Sequence, residues 1–503
     1  MSAPRLGARG VTRRFGTLLA NDGIDLEVAR GSIHAVIGGN GAGKSTLMRI
    51  LQGVDRPDAG TVVIDGEAVA LAGPADAFAR GIGMVHQEFM LVPGLTLLEN
   101  LILGHEPAVT GGIIDLPRAR AAAVALAAQA SVGVPWDMPA EAAPVNIRQV
   151  VEILRLLFRG ADVLILDEPT AVLAPAQVTE LMALLRRLRD DGRTIIFISH
   201  KLEEVLSVAD RITVLRAGRV AGTVAAGATS RGALATLMTG EAIAPAVPRP
   251  HAPGAVVLRV DHLAARDGTG TLRLRDVSLD VRRGEVVGIA AIAGNGQDEL
   301  AACVAGLTPA ESGRILLGDR DVTRLPTAQR RRIGLGYLSP DRAGEGLCLA
   351  ATVTENAIAG QHRAPRFCTA GLLRRGAITR HVARLLDRFA VVRGAASAPI
   401  AGLSGGNQQR VAIARELDAA PMLLLACQPT RGVDIAGTAF IHQCLLDYCA
   451  EGGAVLLISE ELEELLALAD RIVAIFGGRV SGALSRAAVH PQSVGHLMLG
   501  AAV

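Results

Sequence analysis

The chain has 503 residues, half of them apolar and 20% charged. That balance excludes a disordered polymer and leaves room for two or three domains with full cores. A formal net charge of only +2 gives no strong pull on nucleic acid, and none is expected as a partner.

The opening MSAPRLGARG lacks the apolar core of a secretory leader, and no run of 18 apolar residues follows. The longest candidate, 121–135, is alanine-rich and broken by Gln129. The chain is therefore not expected to span a membrane, although it can dock on one. Only two of the 51 basic residues are lysines, Lys44 and Lys201, which leaves 49 arginines. So strong a bias is genomic in character, and it makes a retained lysine conspicuous. The six cysteines all fall from Cys303 onward, without a C-x-x-C pair or zinc spacing. They are expected to be reduced, mostly buried thiols.

In chain order, SIHAVIG (32–38) is a short apolar run of the kind that forms a buried parallel strand. It leads into GGNGAGKS (38–45), the phosphate-loop pattern G-x-x-x-x-G-K-[ST], and STLMRILQG (45–53) continues with helical spacing. Gly38, Gly41 and Gly43 let the backbone wrap a phosphate chain and aim N–H groups at it. The helix N-terminus adds partial positive charge. Lys44 then meets the β- and γ-phosphates, and Ser45 offers a hydroxyl to Mg²⁺. LILDEPT (164–170) ends a further apolar run. Asp167 can hold Mg²⁺ through water, and Glu168 can polarise an attacking water as general base. Alone, such a pair is more often a solvated strand end; together with a phosphate loop it reads as chemistry. His200 closes TIIFISH (194–200), either as an ordinary surface or core histidine or as a sensor of the γ-phosphate.

The remainder is a second copy. ADRITVLRAGRV (209–220), ISHKLEEV (198–205) and LILDEPT recur 260 residues later as ADRIVAIFGGRV, ISEELEEL and LLACQPT. The phosphate loop recurs after 253 residues as AIAGNGQD (291–298). Between the copies, 244–255 is rich in proline and alanine and reads as a semi-rigid linker. In the second copy Gln297 and Asp298 replace the lysine and serine, Cys427 and Gln428 replace the Asp–Glu pair, and Glu460 replaces the histidine. LSGGNQQR (403–410) places Ser404 and two glycines before a helix, so that a hydroxyl and free N–H groups face outward. Its first-copy counterpart, APVNIRQVVEI (143–153), has Pro144 and Asn146 where serine and glycine stand.

These motifs resemble the ABC-type ATPase family over nearly the whole chain. The resemblance implies two tandem α/β domains of P-loop NTPase type, 1–243 and 256–503, each with a mixed or parallel sheet core and a helical subdomain. It assigns Gly38, Gly39, Asn40, Gly41, Ala42, Gly43, Lys44, Ser45 and Thr46 to ATP binding. Ser45 and Asp167 become Mg²⁺ ligands, with Glu168 and His200 catalytic. GMVHQEFMLV (83–92) resembles the family's Q-loop, so Gln87 reaches Mg²⁺ and the attacking water and couples the site to a membrane subunit. Phe15, 29 residues before Lys44, matches the aromatic that stacks on adenine; a core phenylalanine is the other reading. Ser404, Gly405, Gly406 and Asn407 match the signature motif, which caps a γ-phosphate held by the other domain. YLSPDR (337–342) has no glutamine, and Gly39 stands where family members usually carry glutamate. Asp434 keeps a family interdomain residue that Ala174 lacks.

Paired within one chain, head to tail as in the family, these domains imply one complete ATP site and one deficient on both faces. MVHQEFMLV, AGNGQDEL, QPTRGVD and SEELEEL resemble the ATP-binding subunits of carbohydrate-type importers, closest to the nucleoside and simple-sugar group. Two transmembrane permease subunits and, indirectly, an extracytoplasmic solute-binding protein are implied as partners, with this chain peripheral on the cytoplasmic face of the cell membrane. The competing readings are a soluble double-ABC factor acting on ribosomes and a scaffold that binds ATP without turnover. The first normally has two intact sites and a long charged linker; the second is at odds with Glu168 and His200.

Overall fold

The structure is a computed structural model that describes residues 3–16, 18–86, 89–109, 112–170, 173, 175–199, 201–241, 253–391 and 396–500. It divides into two compact units, Met1–Ile243 and Ala244–Val503. Most of the expected linker, along with Gln87, Ala174 and His200, lies outside the described residues.

The first unit is built on two sheets. An antiparallel sheet joins β1 (Leu6–Phe15), β2 (Leu18–Val28), β4 (Ala59–Ile64) and β5 (Glu67–Val69) in the order β2-β1-β4-β5. The larger sheet holds β3 (Ile33–Gly38), β6 (Ile82–Val85), β7 (Val163–Asp167), β8 (Thr194–Ile198), β9 (Arg211–Arg216) and β10 (Arg219–Ala225), ordered β10-β9-β3-β8-β7-β6. Its pairs are parallel except β9–β10. The sequence explains the parallel core: every residue of β3 and β8 is buried, as expected when helices cover both faces. Register pairs Asp167 with Ile198 and Gly38 with Leu215. The carboxyl ends of β3, β7 and β8 therefore meet along one edge, where open α/β sheets bind ligands.

A helical part lies between β6 and β7. Its helices are Leu97–Ile102, Leu116–Gln129 and Val145–Phe158. The first begins with a capping box between Thr96 and Glu99. Asn100, fully buried, accepts from the Val92 N–H at 2.7 Å and donates to the carbonyls of Val92, Leu95 and Thr96.

The second unit repeats this plan. β11 (Val256–Arg266), β12 (Leu272–Arg282), β14 (Ser312–Leu317) and β15 (Arg320–Asp321) form the order β12-β11-β14-β15. β13 (Val286–Ala290), β16 (Leu335–Leu338), β19 (Leu423–Cys427), β20 (Ala454–Ile458), β21 (Arg471–Phe476) and β22 (Arg479–Ser485) form the other, β16-β19-β20-β13-β21-β22. A short hairpin of β17 (Cys368–Thr369) and β18 (Leu372–Leu373) is added in the helical part. Alternation along β19 divides the core: Leu424 and Ala426 pack into one cluster, Leu423, Leu425 and Cys427 into the other. Asn356 repeats the Asn100 network with Cys348, Ala351 and Thr352. The tandem α/β architecture expected from the sequence is thus present in both halves.

The cysteine expectation needs correction. All six are free, but only Cys303, Cys427 and Cys449 are buried; Cys348 is exposed, and Cys368 and Cys444 are half-buried. The first two of these three sit on loop and hairpin positions of the helical part, where no sheet face covers them. Among the described residues no helix is long and apolar enough to cross a membrane.

Arg330 is among the largest fully buried side chains. It donates to the carbonyls of Leu325 (2.7 Å), Val304 (2.9 Å) and Thr323 (3.0 Å), and to that of Cys303. It therefore closes the C-terminal end of the helix Gln297–Ala305. Arg330→Ala strands these carbonyls and opens a cavity, and should lower the unfolding free energy of the second unit by about 3 kcal/mol. The check is a urea denaturation curve followed with a probe in that unit.

Candidate functional site

In the first unit the phosphate loop forms because two glycines are sterically required and a third takes a positive φ. A Cβ on Gly38 would lie 2.4 Å from the Leu215 carbonyl oxygen. One on Gly43 would lie 2.3 Å from that of Ala20 and 2.5 Å from the Asn21 amide nitrogen. Gly41 and Gly43 also have φ of 77° and 97°, which a side chain disfavours. Asn21 Nδ2 donates to the Gly43 carbonyl at 3.1 Å, so β2 fixes the loop from beneath. The helix Lys44–Leu51 starts immediately after.

Lys44 is buried and folds back over its own loop, with Nζ donating to the carbonyls of Gly38 (2.7 Å) and Gly39 (3.1 Å). Burial lowers its pKa, and the charges of Glu168 and Asp167 oppose that shift. Asp167 responds in reverse. Burial and then Glu168 push its carboxyl above the usual range, while Lys44 and His86 draw it down. These couplings bring Lys44, Asp167, Glu168 and His86 into one electrostatic neighbourhood. Glu168 holds φ of 46°, a left-handed backbone that few non-glycine residues adopt, pinned by its N–H bond to the Ile198 carbonyl at 3.0 Å. Two residues on, the Thr170 hydroxyl donates to Glu204 at 2.6 Å and anchors this turn to the helix Leu202–Val208.

Among the described residues no group of three His, Cys, Asp or Glu is arranged to hold a metal by itself. The oxygen pair of exposed Ser45 and half-buried Asp167 suits a hard divalent cation that takes its other ligands from phosphate and water. Burial, and after it Glu168, raises the Asp167 carboxyl, a cost that a bound cation offsets, so this donor set fits Mg²⁺. Phe15 is not a core residue. It is 46% exposed near the β1–β2 turn, with the Arg13 guanidinium 4.9 Å from its ring centre.

The second unit keeps the backbone and loses the chemistry. Gly294 and Gly296 have φ of 85° and 108°, and a Cβ on Gly296 would lie 2.8 Å from the Arg273 carbonyl oxygen. Gln428 repeats the left-handed φ, 48°, with its N–H on the Ile458 carbonyl at 2.8 Å. Yet Gln297 is buried with Nε2 unpartnered among the described residues, and burial alone raises the Asp298 carboxyl. Burial also raises the Cys427 thiol far above its ordinary value, with Asp298 and Glu345 adding to it. Glu460 is raised by burial and by Asp298, against Arg431.

What this unit does present is Ser404, the N-cap of the helix Gly405–Asp418. It is exposed and accepts from Asn407 Nδ2 at 2.9 Å, so its hydroxyl proton remains a donor. In the first unit the matching helix, Val145–Phe158, starts at Pro144 with no side-chain cap. Asp434 caps the helix Ile435–Ala450 through the Gly437 N–H at 2.7 Å. Asn21 and the left-handed backbone of Glu168 have no motif of their own in the sequence, and His86 has only its place in GMVHQEFMLV.

The ABC transporter family model matches residues 21–171 and 274–431. Over 493 residues the chain is 44% identical to the nucleoside import ATP-binding protein NupA of Lactococcus lactis, covering 97% of each. It is 42% identical over 507 residues to the glucose import ATP-binding protein TsgD13 of Haloferax volcanii, covering 95% of this chain and 92% of that one. It is 40% identical over 491 residues to the guanosine import ATP-binding protein NupO of Bacillus subtilis, covering 97% and 96%.

Gly43→Ala drives a methyl into the Ala20 carbonyl and strains a positive φ. It should weaken binding of a fluorescent ATP analogue to the full chain at least about a hundredfold, since a clash of this size costs a few kcal/mol. Equilibrium titration followed by anisotropy reads the change.

Proposed function

The chain belongs to the ABC transporter family, and from that membership we propose that it hydrolyses ATP to drive a membrane importer of a nucleoside or simple sugar through a single composite ATP site. It is an ATPase of the import-coupled type. One observation carries the reading: the register of β3, β8 and β7 sets the phosphate loop with Lys44 and the Asp167–Glu168 pair on one edge of the first unit's sheet, and every counterpart in the second has changed chemistry.

In this reading Lys44 leaves the carbonyls of Gly38 and Gly39 to meet the β- and γ-phosphates, and the loop N–H groups from Gly39 to Thr46 cradle them. Ser45, Asp167 and Gln87 would hold Mg²⁺, which would supply positive charge against the phosphates. Glu168, at the end of β7, takes the proton of the attacking water. His200 senses the terminal phosphate, and Phe15 offers a ring face to the base. Ser404, Gly405, Gly406 and Asn407 complete the site from the second unit. Support comes from complementarity: the half that lost its signature kept the phosphate loop, and the half that lost the loop kept the signature. The deficient pairing serves as a structural or regulatory contact.

The partners are a pair of membrane permeases, with a solute-binding protein outside that never touches this chain, which sits peripherally on the cytoplasmic face. The named relatives are import proteins for nucleoside, glucose and guanosine, which leaves the solute within that group.

Purified chain, alone and reconstituted with its permeases in liposomes, should hydrolyse ATP, faster when coupled. Lys44→Ala should cut turnover by roughly a hundredfold or more, the worth of one transition-state charge contact; persistent activity would exclude the first unit as the engine. Ser404→Ala should slow turnover about tenfold or more although it lies outside the nucleotide-holding unit, and an unchanged rate would contradict the composite site.

A further inference from the structure

In the second unit the connection 359–374 leads from the helix Val353–Ile358 to the helix Arg375–Arg388. It carries the hairpin of β17 and β18, in which Cys368 pairs with Leu373 and Thr369 with Leu372. The two residues between them, Ala370 and Gly371, have φ of 51° and 81°, the backbone of a tight two-residue turn. The base of the hairpin is fixed. Phe367 is buried, its ring meets that of His381 edge-on with centres 4.9 Å apart, and its carbonyl accepts the Arg374 N–H at 2.8 Å. The tip is bare. Leu372 is 77% exposed, more than any other large apolar side chain among the described residues, and Leu373 is 51% exposed. Successive strand residues face opposite ways, so neither face of β18 is covered.

The charge around this tip is all of one sign. No acidic residue lies between Glu355 and Asp387, whereas Arg363, Arg366, Arg374, Arg375, Arg380 and Arg384 do. Of the six, only Arg366 has an ion pair among the described residues, with Asp418 at 2.7 Å; the other five are exposed. Helix stability does not explain them. The helix Arg375–Arg388 begins at Arg374 with no side-chain cap and no acidic residue in its first turn. Two arginines there oppose the positive end of the helix dipole, where Asp or Ser would be favoured. The duplicated frame does not explain them either. The matching helix of the first unit, Leu116–Gln129, starts from Asp115, which accepts the Arg118 N–H at 3.0 Å, and Glu106 lies in the chain before it. Apolar exposure recurs there, at Ile113 and Ile114, but the unopposed positive charge does not.

We propose that the hairpin Cys368–Leu373, with the arginines that flank it in the chain, is a contact for an anionic lipid bilayer. Leu372 and Leu373 enter the interfacial zone, and Arg363, Arg374 and Arg375 meet lipid phosphates. Two leucines on a hairpin tip make a small surface for a protein partner. A bilayer takes apolar side chains without matching their shape, and its anionic headgroups attract unpaired arginines. This contact goes beyond the import reading: the chain touches lipid directly, in addition to any permease.

The test is sedimentation of the full chain, without permeases, on sucrose-loaded vesicles. Phosphatidylcholine alone should bind little of it; vesicles with about one third phosphatidylglycerol should bind it and release it at high salt. Arg374→Gln with Arg375→Gln should weaken that binding about thirtyfold, the worth of two arginines at an anionic surface. Leu372→Ser with Leu373→Ser should weaken it about tenfold or more. A control pair, Arg259→Gln with Arg275→Gln, exposed on the antiparallel sheet of the same unit, should bind as the parent does. Both tip variants should keep the parent's melting temperature, because the altered side chains are exposed. No binding to the anionic vesicles, or equal binding to neutral ones, would overturn the proposal. So would an equal loss in the control pair, which marks diffuse attraction, or parental binding in either tip variant. Tip variants that still bind vesicles but let go of the permeases would make the hairpin a protein contact, and the proposal would fall. None of these outcomes requires turnover, so failure here leaves the ATPase reading standing.

Discussion

Backbone crowding around the phosphate loop is the constraint on which the rest depends. β3 runs into a turn so close to Leu215 and Ala20 that only glycine fits at Gly38 and Gly43. Asn21 locks that turn from β2, and so couples the small antiparallel sheet to the large one. The concave row of N–H groups that results is a property of chain geometry, independent of any side chain. A lysine, a hydroxyl or a carboxylate placed on it then decides what the loop can hold.

The second unit makes this separation visible. Its loop glycines keep their positive φ, and Gln428 keeps the left-handed backbone of Glu168. Strand order, the buried asparagine network and the threonine–glutamate anchor after the strand all recur. The groups that would touch phosphate or metal have gone, replaced by two amides, a carboxylate and a thiol. The fold survives the loss because its stability rests on the two-sided sheet core, which Cys427 itself joins. The same unit builds an exposed serine cap at Ser404, where the first unit begins its helix at proline. Each half is specialised by side chains on a common frame.

How much of this was legible beforehand follows from the range of each interaction. SIHAVIG, DVLILDE and TIIFISH announce buried strands because burial on both faces leaves an unbroken apolar run. The phosphate loop is legible because its chemistry and geometry lie within eight consecutive residues. LSGGN is legible for the same reason. The antiparallel sheets leave a weak trace in the sequence, since their half-exposed strands carry bulges that blur the alternation. Asn21 has no local signature, since it acts 22 residues away. Phe15 shows that sequence alone cannot tell a packed ring from an exposed one. The cysteines make the same point for burial.

The central claim is that one chain contains a single hydrolytic engine, housed in the first unit. Trapping ADP with vanadate during turnover and counting nucleotide per chain tests it most directly, with a photoreactive analogue and proteolysis to locate the label. The account predicts one trapped ADP per chain and label confined to residues 1–243. Two trapped nucleotides per chain, or label held by the loop around Gln297, would contradict it.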